Sequence, residues 1–105
     1  DAIFSANTLH IMSWECVQHF FRGVGQVLAP GGLLCVYGPF RYEGRYTSDS
    51  NAEFDRYLKA RDPLSGIRDA EAVDQLAAEH GLQLIADHPM PANNQTRVWR
   101  HVSCD

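Results

Sequence analysis

The sequence predicts an α/β fold of order β-α-β-α-α-β-β, with two parallel strands, an antiparallel strand pair and helices on the faces. Three observations predict it. The stretch Leu28-Ala29-Pro30-Gly31-Gly32-Leu33-Leu34-Cys35-Val36-Tyr37 reads as a helix end, a tight turn and a buried strand. An amphipathic helix precedes it, and a second apolar run, Ala2-Ile3-Phe4-Ser5-Ala6, precedes that helix, giving a strand–helix–strand crossover. Near the end, Val98 and Arg100 alternate with Arg97 and Trp99, as in an antiparallel strand with one wetter face.

Residues 1–6 read as the first strand and Asn7 to Met12 as a loop. Ser13 is the expected N-cap of a helix reaching Leu28, with Glu15 favourable in its first turn. Val17, Phe20, Phe21, Val24 and Leu28 recur at helical spacing and should face the sheet. Gly23 and Gly25 each cost that helix about 1 kcal/mol relative to Ala, so one of them is expected to permit close packing. In the turn, Pro30 presets φ and Gly31 can take a positive φ. Leu33 to Tyr37 runs apolar without alternation, as expected of a strand covered on both faces.

A polar-aromatic segment follows, from Gly38 to Tyr46. Ser50-Asn51-Ala52-Glu53 has the form of a capping box opening a helix that carries Phe54, Tyr57 and Leu58 inward, with Pro63 ending it. Asp69 should cap another helix bearing Val73, Leu76 and Ala77, which stops at Gly81. Leu82 to Asp87 and Thr96 to Val102 are expected as short strands. The right-handed crossover places the first helix on one face, and the later helices are expected on the other face or the far edge.

A length of 105 residues fits a single domain, and 45% hydrophobic with 21% charged residues is the balance of a globular protein. The net charge of −4 disfavours a nucleic-acid surface. No apolar run approaches the roughly 18–20 residues that span a bilayer, and no signal-peptide pattern appears, so no membrane partner is expected. Cys16, Cys35 and Cys104 are odd in number and far apart, which points to reduced thiols and a cytoplasmic location. No pair of Cys or His has structural-zinc spacing, so no metal is expected. There is no nucleophile elbow, phosphate-binding loop or dinucleotide fingerprint; Gly23-Val24-Gly25 lies within a helix pattern.

Ligands of open α/β sheets collect beyond the carboxyl ends of parallel strands. Asn7-Thr8-Leu9-His10-Ile11-Met12 and Tyr37-Gly38-Pro39-Phe40 both emerge there. Asn7 and Thr8 can hydrogen-bond a ligand, or Asn7 closes a turn. His10 is the one pH-tunable side chain at this place, available for proton transfer or for a backbone bond. Tyr37 reads as core or site. Phe40, Tyr42 and Tyr46 with Arg41 and Arg45 suit an aromatic or anionic substrate, or pack as a surface loop of their own. Asn93 and Asn94 read as turn or site.

Asp1 to His10, the helix after it and Leu28-Ala29-Pro30-Gly31-Gly32-Leu33 resemble the second half of class I S-adenosylmethionine-dependent methyltransferases. More specifically, Tyr37-Gly38-Pro39-Phe40, Ser48 to Asp55, Leu58 to Pro63, Gly66-Ile67-Arg68-Asp69 and Met90-Pro91-Ala92-Asn93-Asn94 resemble the family called methyltransferase-like 26. The resemblance covers nearly the whole chain. It implies a partial Rossmann-like methyltransferase sheet: residues 1–105 would be the carboxyl-terminal half of the domain. The family's Gly-rich loop and ribose-holding acidic residue would lie before Asp1.

By that resemblance the cofactor is S-adenosylmethionine, with Ala6, Asn7, Thr8 and Ile11 lining its pocket. His10 would be the base or orienting group, and Tyr37, Phe40, Tyr46 and Asn94 would surround a small-molecule acceptor. The isolated chain is expected to be inactive. Its first strand is expected to have an unpaired outer edge, which offers a route to a homodimer. Two other readings use the same residues. One is a non-catalytic α/β module acting through self-association or partner binding. The other is a single-strand RNA binder using Arg41, Tyr42, Arg45 and Tyr46, which the acidic balance disfavours.

Overall fold

The first two strands, β1 (Ala2–Ala6) and β2 (Leu33–Gly38), run parallel, with Ala2 opposite Leu33 and Ala6 opposite Tyr37. The computed structural model describes residues 2–102; Cys104 lies outside them. The crossover is helix α1 (Trp14–Val27), whose N-cap Ser13 accepts the Cys16 N–H at 3.2 Å. Gly31 takes φ +88° at the corner before β2, and its N–H reaches the His101 carbonyl at 2.7 Å. The corner therefore ties the start of β2 to the end of the last strand, besides reversing the chain.

That last strand, β7 (Asn94–His101), lies antiparallel to β2, and β6 (Leu82–Met90) lies antiparallel to β7. The sheet order is β1-β2-β7-β6, so β1 is an edge strand. Both strands of the pair are longer than the sequence pattern predicts. They meet through a 3₁₀ turn, Pro91–Asn93, in which Ala92 and Asn93 are left-handed at φ +62° and +60°.

The polar-aromatic segment is structured. It contains β3 (Phe40–Tyr42) and β4 (Arg45–Tyr46), joined by Glu43 and Gly44 with φ +52° and +75°. Two consecutive positive φ values make this a two-residue hairpin of the primed type, which suits strand twist. β5 (Arg68–Asp69) pairs parallel to β3 and completes a second, three-stranded sheet. Strands of two or three residues carry no readable periodicity, so the sequence pattern gave a loop here.

Helix α2 (Asp49–Arg61) is capped by Ser48, whose hydroxyl accepts the Asn51 N–H at 3.1 Å. The expected box at Ser50 to Glu53 is thus corrected by two residues. The residues facing inward are corrected too. Asn51, Asp55 and Leu58 are buried, while Phe54 and Tyr57 are exposed. The polar partners Asn93 and Ile67 lie on the inner side of α2, and they draw Asn51 and Asp55 toward them. Asp62 follows the helix in an extended conformation, as a residue before proline prefers.

Helix α3 (Ala70–Glu79) starts after Asp69 and ends at Gly81, which has φ +78°. The Asp69 carboxylate does not cap it; it accepts from Arg41 Nη2 at 3.0 Å.

The core lies on one face of the four-stranded sheet. Leu34, Val36 and Trp99 point inward and meet Val17, Phe21 and Val24 of α1 and Val73, Leu76 and Ala77 of α3. Trp99 touches both helices: its ring is edge-on to Phe21 at 5.7 Å, and its Nε1 donates to Asp74 at 3.2 Å. Helix α3 therefore shares the face of α1, rather than taking the opposite face. The expected double cover of Leu33 to Tyr37 is corrected accordingly. Leu34 and Val36 are buried, whereas Leu33, Cys35 and Tyr37 are only half-buried and neighbouring Phe4 is 68% exposed. Among the described residues no helix is long and apolar enough to cross a membrane. Cys16 and Cys35 are free thiols.

The two helical glycines of α1 differ sharply. A Cβ on Gly25 would come within 2.9 Å of the His80 carbonyl oxygen, whereas one on Gly23 would meet nothing within 4 Å. Gly25 is thus the close-packing glycine. Urea denaturation should show Gly23→Ala stabilising the protein by up to about 1 kcal/mol and Gly25→Ala destabilising it.

Candidate functional site

The site forms where β1 and β2 end side by side. Asn7 leaves β1 in a left-handed conformation, φ +54°, and its N–H donates to the Tyr37 carbonyl at 2.8 Å. A left-handed residue turns the chain abruptly, so the following 3₁₀ turn, Leu9–Ile11, folds back over the end of β2. His10 thereby comes to rest against Gly38: a Cβ at Gly38 would stand 3.6 Å from His10 Nδ1. That separation is ordinary van der Waals contact, so the imidazole lies directly against the end of β2.

His10 is buried, at 5% exposure. The Phe54 ring of α2 stands edge-on to it at 5.6 Å. Its carbonyl accepts the Gly66 N–H at 2.9 Å, while its ring makes no hydrogen bond among the described residues. Burial first, then the Arg68 guanidinium, hold its pKa below the ordinary 6.5. The imidazole is therefore neutral at physiological pH and has a nitrogen lone pair free to accept a proton. Arg68 also secures the turn, donating through Nε to the Leu9 carbonyl at 3.3 Å and through Nη2 to the Met12 carbonyl.

The other predicted site residues divide into two sets. Ala6, Asn7 and Ile11 are exposed at the lip of the same strand ends, and the Asn7 side chain has no hydrogen bond among the described residues. The Thr8 hydroxyl is engaged locally, with Ser5 Oγ at 2.6 Å and the Ala6 carbonyl at 3.0 Å. Tyr37 and Asn94 meet, Asn94 Nδ2 donating to the Tyr37 hydroxyl at 3.1 Å. Phe40 and Tyr46 are set apart from this group. Phe40 is 1% exposed and packs in the core beneath Arg97. The Tyr46 hydroxyl donates to Asp55.

Beside the His10 turn lies a cleft of about 350 Å³ lined by Ile11, Leu58, Arg61, Asp62 and Ser65. Sequence reasoning missed Phe54, Gly66 and Arg68 as neighbours of His10. The Gly66-Ile67-Arg68-Asp69 motif was the available signal, but its pairing with the Leu9–Met12 turn is a long-range contact with no local signature.

The family model described as a protein of unknown function, DUF938, matches residues 1–101. The chain belongs to the DUF938 family. Solved structures share its fold at low identity. An O-methyltransferase family 2 protein from Planctomyces limnophilus, in complex with apigenin, superposes at TM-score 0.87 and 17% identity, covering 97% of this chain and 31% of its own. Human N-acetylserotonin methyltransferase in complex with SAM superposes at 0.81 and 16% identity, over 97% of this chain and 29% of its own. An O-methyltransferase from Nostoc punctiforme, itself described only as putative, matches at 0.82 and 20% identity, over 95% and 31%. The DUF938 chain thus shares the fold of a segment of these structures, and spans about 30% of the length of these chains.

The lowered pKa of His10 makes stability depend on pH. Between its folded value and 6.5 the unfolded chain binds more protons than the folded one, so stability rises with pH there. The His10 contribution is complete above 6.5 and is lost as pH falls through the folded value. Thermal melts should show stability declining as pH falls below 6.5, with a smaller decline in His10→Asn.

Proposed function

We propose that this chain forms the acceptor-side, carboxyl-terminal part of an S-adenosylmethionine-dependent methyltransferase whose acceptor is a small molecule. The observation that carries the reading is a buried, neutral His10, free of side-chain hydrogen bonds among the described residues, at the carboxyl ends of two parallel strands. The names of the fold neighbours support it, as does the resemblance of residues 37–40, 48–55, 58–63, 66–69 and 90–94 to methyltransferase-like 26 proteins.

The residues at the strand ends fit the cofactor. Ala6 and Asn7 are exposed, Ile11 is 58% exposed, and the Asn7 side-chain amide has hydrogen-bonding capacity to spare. Asn7, Thr8, Ala6 and Ile11 would hold S-adenosylmethionine, which when bound supplies a methyl group activated by its sulfonium. The Tyr37–Asn94 pair orients the acceptor from the end of β2. His10 accepts the proton that the acceptor's hydroxyl gives up, through whichever ring nitrogen faces the open strand ends. The larger part of such catalysis is alignment, which can contribute on the order of 7–11 kcal/mol. The half-exposed outer face of the sheet is where the remainder of such a domain would pack.

The test is methyl transfer by a full-length family relative. Its variant at the position of His10→Ala should lose about 10²-fold or more in kcat, with S-adenosylhomocysteine affinity unchanged. Normal turnover in that variant would sink the assignment of His10 as base.

A further inference from the structure

We infer that Asp55 is a positioning residue for His10, acting through the 66–68 segment that it clamps against the His10 turn. The segment alternates its attachments. Gly66 N–H holds the His10 carbonyl at 2.9 Å, and Arg68 holds the Leu9 and Met12 carbonyls on either side. Between them, Ile67 N–H points the other way and donates to Asp55 Oδ1 at 2.9 Å. The three residues thus act as a strap stretched between helix α2 and the turn that carries the imidazole.

Asp55 is built to hold that strap. It is 1% exposed, and its second oxygen accepts from the Tyr46 hydroxyl and from Lys59 Nζ at 3.0 Å. Three donors converge on one buried carboxylate, which a purely apolar anchor could not replace. Burial pushes the Asp55 pKa up, but the Tyr46 hydroxyl, the Ile67 N–H and Lys59 outweigh it and hold the group ionised. The segment also passes too close for a side chain. Gly66 has φ +152°, and a Cβ there would stand 3.0 Å from both Asp55 Oδ1 and Lys59 Cε. Tyr46, expected at the acceptor, therefore serves the site at one remove.

The geometry stands on its own; its catalytic consequence rests on the reading of His10 as base. The charge facing His10 is Arg68 of β5, while α2 presents Phe54 and β2 presents Gly38. This makes the sign of one measurement decisive. If Asp55 acted through charge alone, Asp55→Ala would leave Arg68 and Lys59 less balanced and drive the His10 pKa further down. If Asp55 clamps the turn, its loss lets water reach the imidazole, and the pKa rises toward 6.5.

Following the His10 ring protons by NMR across pH in Asp55→Ala, which removes the acceptor of the Ile67 N–H, should show that rise, and an unchanged or lowered value overturns the proposal. Should Asp55→Ala fail to fold, Tyr46→Phe removes a single outer contact and should shift His10 in the same direction by less. No shift in that folded variant would also overturn it. The readout needs no methyl transfer, so a clamp that works beside a dispensable His10 is distinguishable from a failed clamp.

Discussion

The fold turns on one buried guanidinium. Arg97 of β7 is 2% exposed and stands where an alternating strand would be expected to place an apolar side chain. It donates through Nη2 to Asp74 of α3 at 2.6 Å, and through Nη1 to Asp87 of β6 at 2.8 Å and to the Tyr42 hydroxyl of β3 at 3.2 Å. The rings of Phe40, Tyr42 and Trp99 surround it, with centroids at 5.3, 5.6 and 5.6 Å. An unpaired charge at this depth would cost several kcal/mol, so the two carboxylates and the aromatic cage are obligatory partners. Its Nε alone lacks a partner among the described residues. One side chain thus fixes α3, the β6–β7 pair and the small sheet in a single arrangement, which a greasy core residue would not specify.

From that fixed frame the site is assembled by a chain of polar contacts. α3 begins at Asp69, and Asp69 pairs with Arg41, which locks β5 to β3. β5 carries Arg68, and Arg68 holds the turn that presents His10. On the other side, Asn51 of α2 donates to the Asn93 carbonyl at 3.0 Å, so the β6–β7 turn and the neighbouring Asn94 are tied to the same helix. α2 turns its polar residues inward because its neighbours are exposed backbone groups of loops, which need donors and acceptors more than they need methyl groups. Phe54 and Tyr57 are left to face outward, stacked with ring centroids 6.3 Å apart.

Local chemistry made much of this legible in the sequence. Ser13, Pro30-Gly31-Gly32, Gly81 and the apolar spacing of α1 act within a few residues of themselves, and each is found in the role its type implies. The placement of Asn7, His10 and Tyr37 at one end of the sheet follows from parallel strands alone, and the antiparallel β7 brings Asn94 to the same end. What was not legible is long-range and polar. Arg97 reads as a surface residue until Asp74 and Asp87, 23 and 10 residues away, are seen to converge on it. The capping box expected at Ser50 gives way to a cap at Ser48, because the tertiary pull on Asn51 and Asp55 sets where the helix starts. Phe40, expected among the acceptor-binding residues, packs in the cage around Arg97.

The most direct test of the functional account is an amide-resolved NMR titration of the protein with S-adenosylhomocysteine. The account predicts perturbations centred on Ala6, Asn7, Thr8 and Ile11, with the His10 turn and Gly38 following. Perturbations centred elsewhere, or none at these residues at millimolar ligand, would contradict it.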